Sequence, residues 1–239
     1  MKGQEEYLEC EKNWIFKVLM IVGGFFGAFT FSIRGGVFCN AQTANFVLFA
    51  MELGNGHFAK AVYYFIPMSA YFLGAFISEF AASDIKKYQL IRWDTLLVGI
   101  EMIVVVILGI LPESAPFQIT QVMINLICSM QYNTFRQAES VPMATTFCTN
   151  HLRQTGIAAC KAIRHRNSEE NQYPGRMIEH IKMLFMFVFG GVVSTMLCNL
   201  WKGKALLVVL IPLGIVFFDL LYADLTKERD KIDQIPHGH

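Results

Sequence analysis

Arg34-Gly35-Gly36-Val37-Phe38-Cys39-Asn40-Ala41-Gln42-Thr43-Ala44-Asn45 is a polar, glycine-marked break in strongly apolar sequence, and its reading decides the fold. Upstream, Trp14 to Ile33 is apolar at nearly every position apart from Lys17; downstream, Phe46 to Met51 is apolar again. If those flanks enter a bilayer, Gln42, Thr43 and Asn45 lie at or near membrane depth. In hydrocarbon, amides and backbone groups need partners from protein or water, so this segment is expected to be covered by other helices or to face a wet cavity.

Composition supports the membrane setting. The 239 residues are 54% hydrophobic with a mean hydropathy of +0.41, too apolar for an ordinary water-soluble chain. The class expected is an all-α integral membrane protein, a helical bundle in one membrane domain over residues 1–239. A net charge of +1 without a basic stripe argues against a nucleic-acid partner. The six cysteines (Cys10, Cys39, Cys128, Cys148, Cys160, Cys198) form no C-x-x-C pair and read as buried or reduced thiols, and no metal is expected. Glu5, Glu6, Glu9 and Glu11 precede the first apolar run, which lacks a cleavage pattern after it and reads as a retained anchor. No Walker loop, G-x-S-x-G, H-E-x-x-H or dinucleotide fingerprint is present, so neither an enzyme nor a cofactor is expected.

Working outward, Ala59 to Ala82, Thr95 to Leu111, Met183 to Trp201 and Ala205 to Tyr222 are long enough to cross or nearly cross a layer about 30 Å thick. Phe117 to Phe135 is a weaker sixth span, because it holds Gln118, Gln121, Asn125, Gln131 and Asn133; those amides predict a central position in the bundle. Val37 to Leu53 and Val141 to Ile163 are either full spans or re-entrant half-helices. If both return to the side they left, the basic residues from Lys86 to Lys231 gather on one side, as the positive-inside rule favours. The expectation is six full spans plus two polar broken or re-entrant helices, both termini cytoplasmic, in a bacterial inner membrane; eight spans is the alternative. Lys161 to Lys182, with Pro174-Gly175, reads as a solvated loop whose charge sets topology, with a phosphate or headgroup site as the minor reading.

The order of features repeats. Laying Thr43 on Thr149 places Phe29 on Phe135; with an insertion in the second copy, Gly74-Ala75 falls on Gly190-Gly191 and Ser78 on Ser194. The reading is an internal duplication of residues 14–111 and 117–222, inverted if each half has three full spans and parallel if it has four.

With these segments in view, the chain resembles the YoaK-like family of bacterial membrane proteins. The residues that carry the resemblance are Gly23-Gly24-Phe25-Phe26-Gly27-Ala28-Phe29-Thr30-Phe31, Arg34-Gly35-Gly36-Val37-Phe38 and Asn40-Ala41-Gln42-Thr43-Ala44-Asn45. In the second half they are Met130-Gln131, Phe135-Arg136 and Thr145-Thr146-Phe147-Cys148-Thr149. The resemblance spans almost the whole chain and implies no known substrate. The family pattern has an acid where Gly27 stands, glycine at Ala44 and Asn150, and a small polar amide run at Tyr132, so a proton or cation role for that acid does not carry over.

The candidate substrate-binding residues are Arg34, Gly35, Gly36, Gln42, Thr43, Asn45, Gln131, Asn133, Arg136, Thr145 and Thr149. Gly35-Gly36 allow a turn that aims backbone amides at a ligand, or else a plain interhelical turn. Arg34 and Arg136 near span ends also suit snorkelling to headgroups. Glu101, inside an aliphatic run, needs a partner or a proton. Small-x-x-x-small pairs such as Gly23/Gly27 and Gly190/Ser194 pack helices, and secondarily offer a homo-oligomer face. The functional expectation is a small-solute transporter or channel with a midplane polar site; the alternative is a structural or regulatory membrane protein without transport.

Overall fold

The computed structural model describes residues 7–85, 91–166 and 172–237. Its helices are α1 (Asn13–Ile33), α2 (Gln42–Gly54), α3 (Phe58–Ile85), α4 (Trp93–Ile110), α5 (Phe117–Thr134), α6 (Thr149–Arg164), α7 (Tyr173–Trp201) and α8 (Leu210–Tyr222). A small hairpin, β1 (Gln137–Ala138) antiparallel to β2 (Val141–Pro142), follows α5, and a 3-10 stretch, Lys202–Val209, leads into α8. Four stretches, Asn13–Ile33, Phe58–Ala82, Trp93–Ile110 and Tyr173–Lys227, are long and apolar enough to cross a membrane. The last is bent at Lys202, where φ is 51° and ψ is −130°.

The distribution of polarity inverts that of a water-soluble protein. Gln121, Asn125 and Gln131 of α5 are fully buried, whereas Phe72, Ile110 and Leu200 are 70%, 70% and 72% exposed. The expected central place of the amide-rich α5 is what the structure has. It follows from cost: an amide facing lipid lacks partners, and a phenylalanine there costs nothing.

The ends of the helices meet in two groups. At the far end, the Gln121 side chain donates to the Arg34 carbonyl and to the Tyr63 hydroxyl, each at 2.5 Å, so α1 finishes where α3 and α5 begin. Glu113 holds Arg34 at 3.1 Å and accepts from the Gly203 amide at 2.8 Å, which brings the ends of α4 and α7 to the same place. At the near end, Trp93 donates to Thr134 (2.8 Å), the Glu139 amide to the Glu11 carbonyl (3.0 Å) and the Arg92 amide to Asp224 (3.0 Å). The starts of α1 and α4 therefore lie beside the ends of α5 and α8.

Two pairs of helices pack in parallel. α1 packs along α7 in the same direction, with Lys17 bridged to Glu179 at 2.9 Å near their starts and Gly191 facing Ala28 further along. α3 packs along α5, also in the same direction, from Tyr63 beside Gln121 to Ser78 beside Thr134 (3.1 Å). A Cβ on Gly190 would overlap the Ile21 carbonyl, and one on Gly74 would overlap the Leu126 carbonyl. These two glycines seat α7 against α1 and α3 against α5, the close approach that membrane helix packing uses. α2 lies on α3 and α6 on α7, and α4 pairs with α8.

One sequence expectation is overturned here. Lys161 to Lys182 is not a loop throughout: α6 runs to Arg164 and α7 begins at Tyr173. Pro174 does not break structure because it stands in the first turn of α7, where the missing N–H has no helical partner to lose. Residues 167–171 of that segment, and Lys86 and Lys87 of the Asp84 to Arg92 link, lie outside the described residues. All six cysteines are free, with Cys160 exposed rather than buried.

Candidate functional site

The eleven candidate residues separate into a far-end clamp, a mid-depth cluster, a near-end cavity wall and an outer face. The clamp begins with Gly35 and Gly36, whose φ values of 83° and 73° lie in the left-handed region that only glycine enters freely. They turn the chain back into the bundle beyond Arg34. Arg34 is itself buried against Phe29 and Phe117, with its charge met by Glu113. Burial alone would raise the Glu113 carboxyl, but the Gly203 amide and the Arg34 guanidinium outweigh it and hold it below the usual carboxylate range.

From this turn the first break descends to the middle of α1. Asn40 donates to the carbonyl of Gly23 (2.9 Å), and its carboxamide occupies the space that Gly27 leaves open. Asn45, fully buried, accepts from the Phe38 amide (3.0 Å) and donates to the Phe38 carbonyl (2.6 Å) and to Gln42 (3.1 Å). Gln42 in turn donates to Asn125 of α5 at 2.7 Å and to the Cys39 carbonyl at 3.2 Å. α2 then returns to the far end, where α3 starts. Its 13 residues span about 20 Å, short of a hydrocarbon core of about 30 Å.

The second break reaches the same place from the near end. A Cβ on Gly23 would stand 2.6 Å from the Thr145 carbonyl oxygen, so Thr145 and Asn40 flank one glycine face of α1. Thr145 and Thr146 are fully buried; among the described residues the Thr145 hydroxyl has no hydrogen-bond partner, and the Thr146 hydroxyl faces that of Tyr71 on α3. The backbone around them is held by His151, whose Nε2 donates to the Ala144 carbonyl (2.7 Å). That fixes Nδ1 of His151 as an acceptor, so at 3.0 Å it receives the proton of His180 Nδ1. The 16 residues of α6 then span about 24 Å back towards the near end.

Gln131 is fully buried on α5 with both amide atoms unpartnered. Asn133 and Arg136 are not part of the mid-depth cluster. They bind Glu79 at 3.1 and 2.7 Å and form the wall of a near-end cavity of about 260 Å³, lined also by Arg92, Trp93 and Asp94 and covered by residues 232–237. Thr43 and Thr149 are exposed on the outer face, since each lies in the first turn of a helix whose inner side is taken by a neighbour two residues on: buried Asn45 in α2 and buried His151 in α6.

Sequence reasoning missed several members of these groups. Asn40, Thr146 and Asn125 stood in the quoted motifs or among the α5 amides, and burial at 0 to 5% distinguishes them. Glu113, Glu79 and His180 carry no sequence signal beyond being polar near an apolar run, and only the helix pairing brings them to Arg34, Arg136 and His151. No group of three or more His, Cys, Asp or Glu side chains placed to hold a metal occurs among the described residues.

A bundle with amides inside, large apolar side chains outside and two broken segments meeting at mid-depth is a helical protein of the membrane type. The chain belongs to a family described as protein of unknown function (DUF1275), whose pattern matches residues 15–218. No curated protein and no solved structure matches it.

Proposed function

We propose that the protein is a small-solute transporter of a bacterial cytoplasmic membrane, with its binding site where the two breaks meet beside Gly23. The observation that supports this reading is the convergence of two short helices from opposite ends on one point, with the Thr145 hydroxyl left there without a partner among the described residues. Buried polar atoms in a membrane interior cost stability unless something binds them, and a ligand is the missing partner. Asn40, Asn45, Asn125, Thr145 and Thr146 are buried and Gln42 is half-buried, so the conformation is an occluded one, and the 260 Å³ cavity at the near end is the vestibule.

The same geometry supports six crossings. α1, α4 and α7 run one way and α3, α5 and the 3-10 stretch with α8 the other, while α2 and α6 return to the end they left. Tyr173–Lys227 at 55 residues would extend about 80 Å as one rod, so its bend at Lys202 makes it two crossings. Odd crossings per half make the repeats inverted, as the exchange of pairings (α1 with α7, α5 with α3) supports. Basic residues Lys12, Lys17, Arg92, Arg136, Lys161, Arg164, Arg176, Lys182, Lys227, Arg229 and Lys231 belong to the near end, which the positive-inside rule makes cytoplasmic, with both termini.

The test uses purified protein in detergent and a panel of neutral, zwitterionic and anionic metabolites. A solute that raises the melting temperature of the wild type should fail to do so for Thr145→Val and Thr146→Val, which keep the shape and remove the hydroxyl. Equal stabilisation of all three proteins would sink the mid-depth site, and the structural reading would replace it.

A further inference from the structure

Glu101 is the most anomalous side chain in the bundle. It stands midway along α4 on the core face, between Leu97, Val98, Val104 and Val105, fully buried, and neither carboxyl oxygen has a hydrogen-bond partner. A buried carboxylate is ordinarily paired with a cation or bound by several donors, and an isolated one neutralises instead. Among the described residues, the helices around it supply no cation. α8 and the 3-10 stretch turn Leu206, Val209, Leu213 and Val216 into the core, and Asp219 of α8 belongs to the near end beside Glu9 and Lys227. Asp94, lower on α4, is tied to Arg92 at 3.2 Å.

From α5, the thiol of Cys128 lies within electrostatic reach of Glu101. The buried thiols of Cys128 and of Cys39 in the first break lie within electrostatic reach of one another and of the Tyr71 hydroxyl of α3, which faces Thr146 of the second break. Carboxyl, thiols, phenol and threonine form a run of proton-bearing groups from α4 to the site beside Gly23. Glu101, Cys128 and Tyr71 sit on helices, and the two breaks contribute Cys39 and Thr146.

We propose that Glu101 is an exchangeable proton site coupled to the mid-depth site, so that the solute moves with a proton; this rests on the transporter reading. Glu101 holds the proton in the occluded conformation and gives it up when the α4–α5 contact loosens and water reaches the carboxyl. The rest of the line, through Cys128, Cys39 and Tyr71, links the protonation state of Glu101 to the packing of the breaks. A residue that only filled space would be served better by an aliphatic side chain, as at Leu97, Val98, Val104 and Val105 around it.

Two measurements on the full-length protein in lipid vesicles test this. The first is labelling of the wild type by dicyclohexylcarbodiimide, which partitions into bilayers. A protonated carboxyl gives its proton to a carbodiimide nitrogen, its oxygen adds to the central carbon, and rearrangement leaves a stable N-acylurea that mass spectrometry locates. Glu101 is expected to be labelled at neutral pH and progressively less as pH rises; an unreactive Glu101, or labelling with no pH dependence, overturns the exchange. The second loads vesicles with the pH dye pyranine and adds the same metabolite panel. Solute uptake with lumen acidification in the wild type, and uptake without acidification in Glu101→Gln, is the expected result. Uptake without any pH change in the wild type overturns the proton role and leaves the transporter standing. pH-dependent labelling with no solute movement does the reverse.

Discussion

The two breaks arrive at the same glycine face by different chemistry. The first is closed by its own amides: Asn45 satisfies both backbone groups of Phe38, Gln42 ties to Asn125, and Asn40 fills the gap at Gly27. Two glycines at positive φ make its turn. The second has no glycine before α6; its reversal is the β1–β2 hairpin, with Glu139 and Ser140 at φ values of 44° and 66°, and its backbone is braced from outside by the His151–His180 pair. An amide carries a donor and an acceptor and can seal a loop by itself, whereas a hydroxyl in a tight packed segment often cannot. The first break is therefore the fixed wall of the cluster, and the second is the side with atoms to offer.

The comparison is broken most forcefully at Asn45. Asn45→Leu removes three hydrogen bonds and strands the buried Phe38 amide and carbonyl, so it should cost about 3 kcal/mol, taking roughly 1 kcal/mol for each bond. Denaturation in detergent measures it; a loss no greater than that of Thr145→Val would erase the distinction between the walls.

A pair of glycines sharpens the contrast. Gly23→Ala drives a Cβ into the Thr145 backbone, which cannot move alone, and overpacking of this kind costs about 2 kcal/mol. Gly27→Ala meets only the end of the Asn40 side chain, 2.9 Å from the new atom, and should cost about 1 kcal/mol, the low end of that range, after that amide shifts. If melting temperatures rank the two in the other order, the second break does not rest on Gly23.

Smallest are the changes to groups that are exposed or unpaired. Arg136→Gln loses a bridge to a Glu79 side chain that is 70% exposed, and should change stability by less than about 1 kcal/mol. Thr145→Val, trading an unsatisfied hydroxyl for a methyl of the same shape, should be neutral or slightly stabilising in the absence of solute. A marked destabilisation by Thr145→Val would mean that the hydroxyl has a structural partner, and the second break would then be as sealed as the first.

From the amino-acid sequence alone, the helical membrane class, the order of apolar runs and the places of both breaks were legible, because transfer to hydrocarbon is paid residue by residue and leaves its record in local composition. The central position of α5 followed from the same cost applied to its amides. Which polar residues meet which was decided by tertiary structure. Arg34 and Arg136 look alike in sequence, yet helix ends carry Arg34 into a buried clamp with Glu113 and Arg136 to a half-open cavity with Glu79. Thr43 and Thr145 look alike too, yet a hundred degrees of helix rotation per residue puts one on the outer face and a backbone dip puts the other in the core. Periodicity cannot reach such facts, since they depend on contacts between segments far apart in the chain.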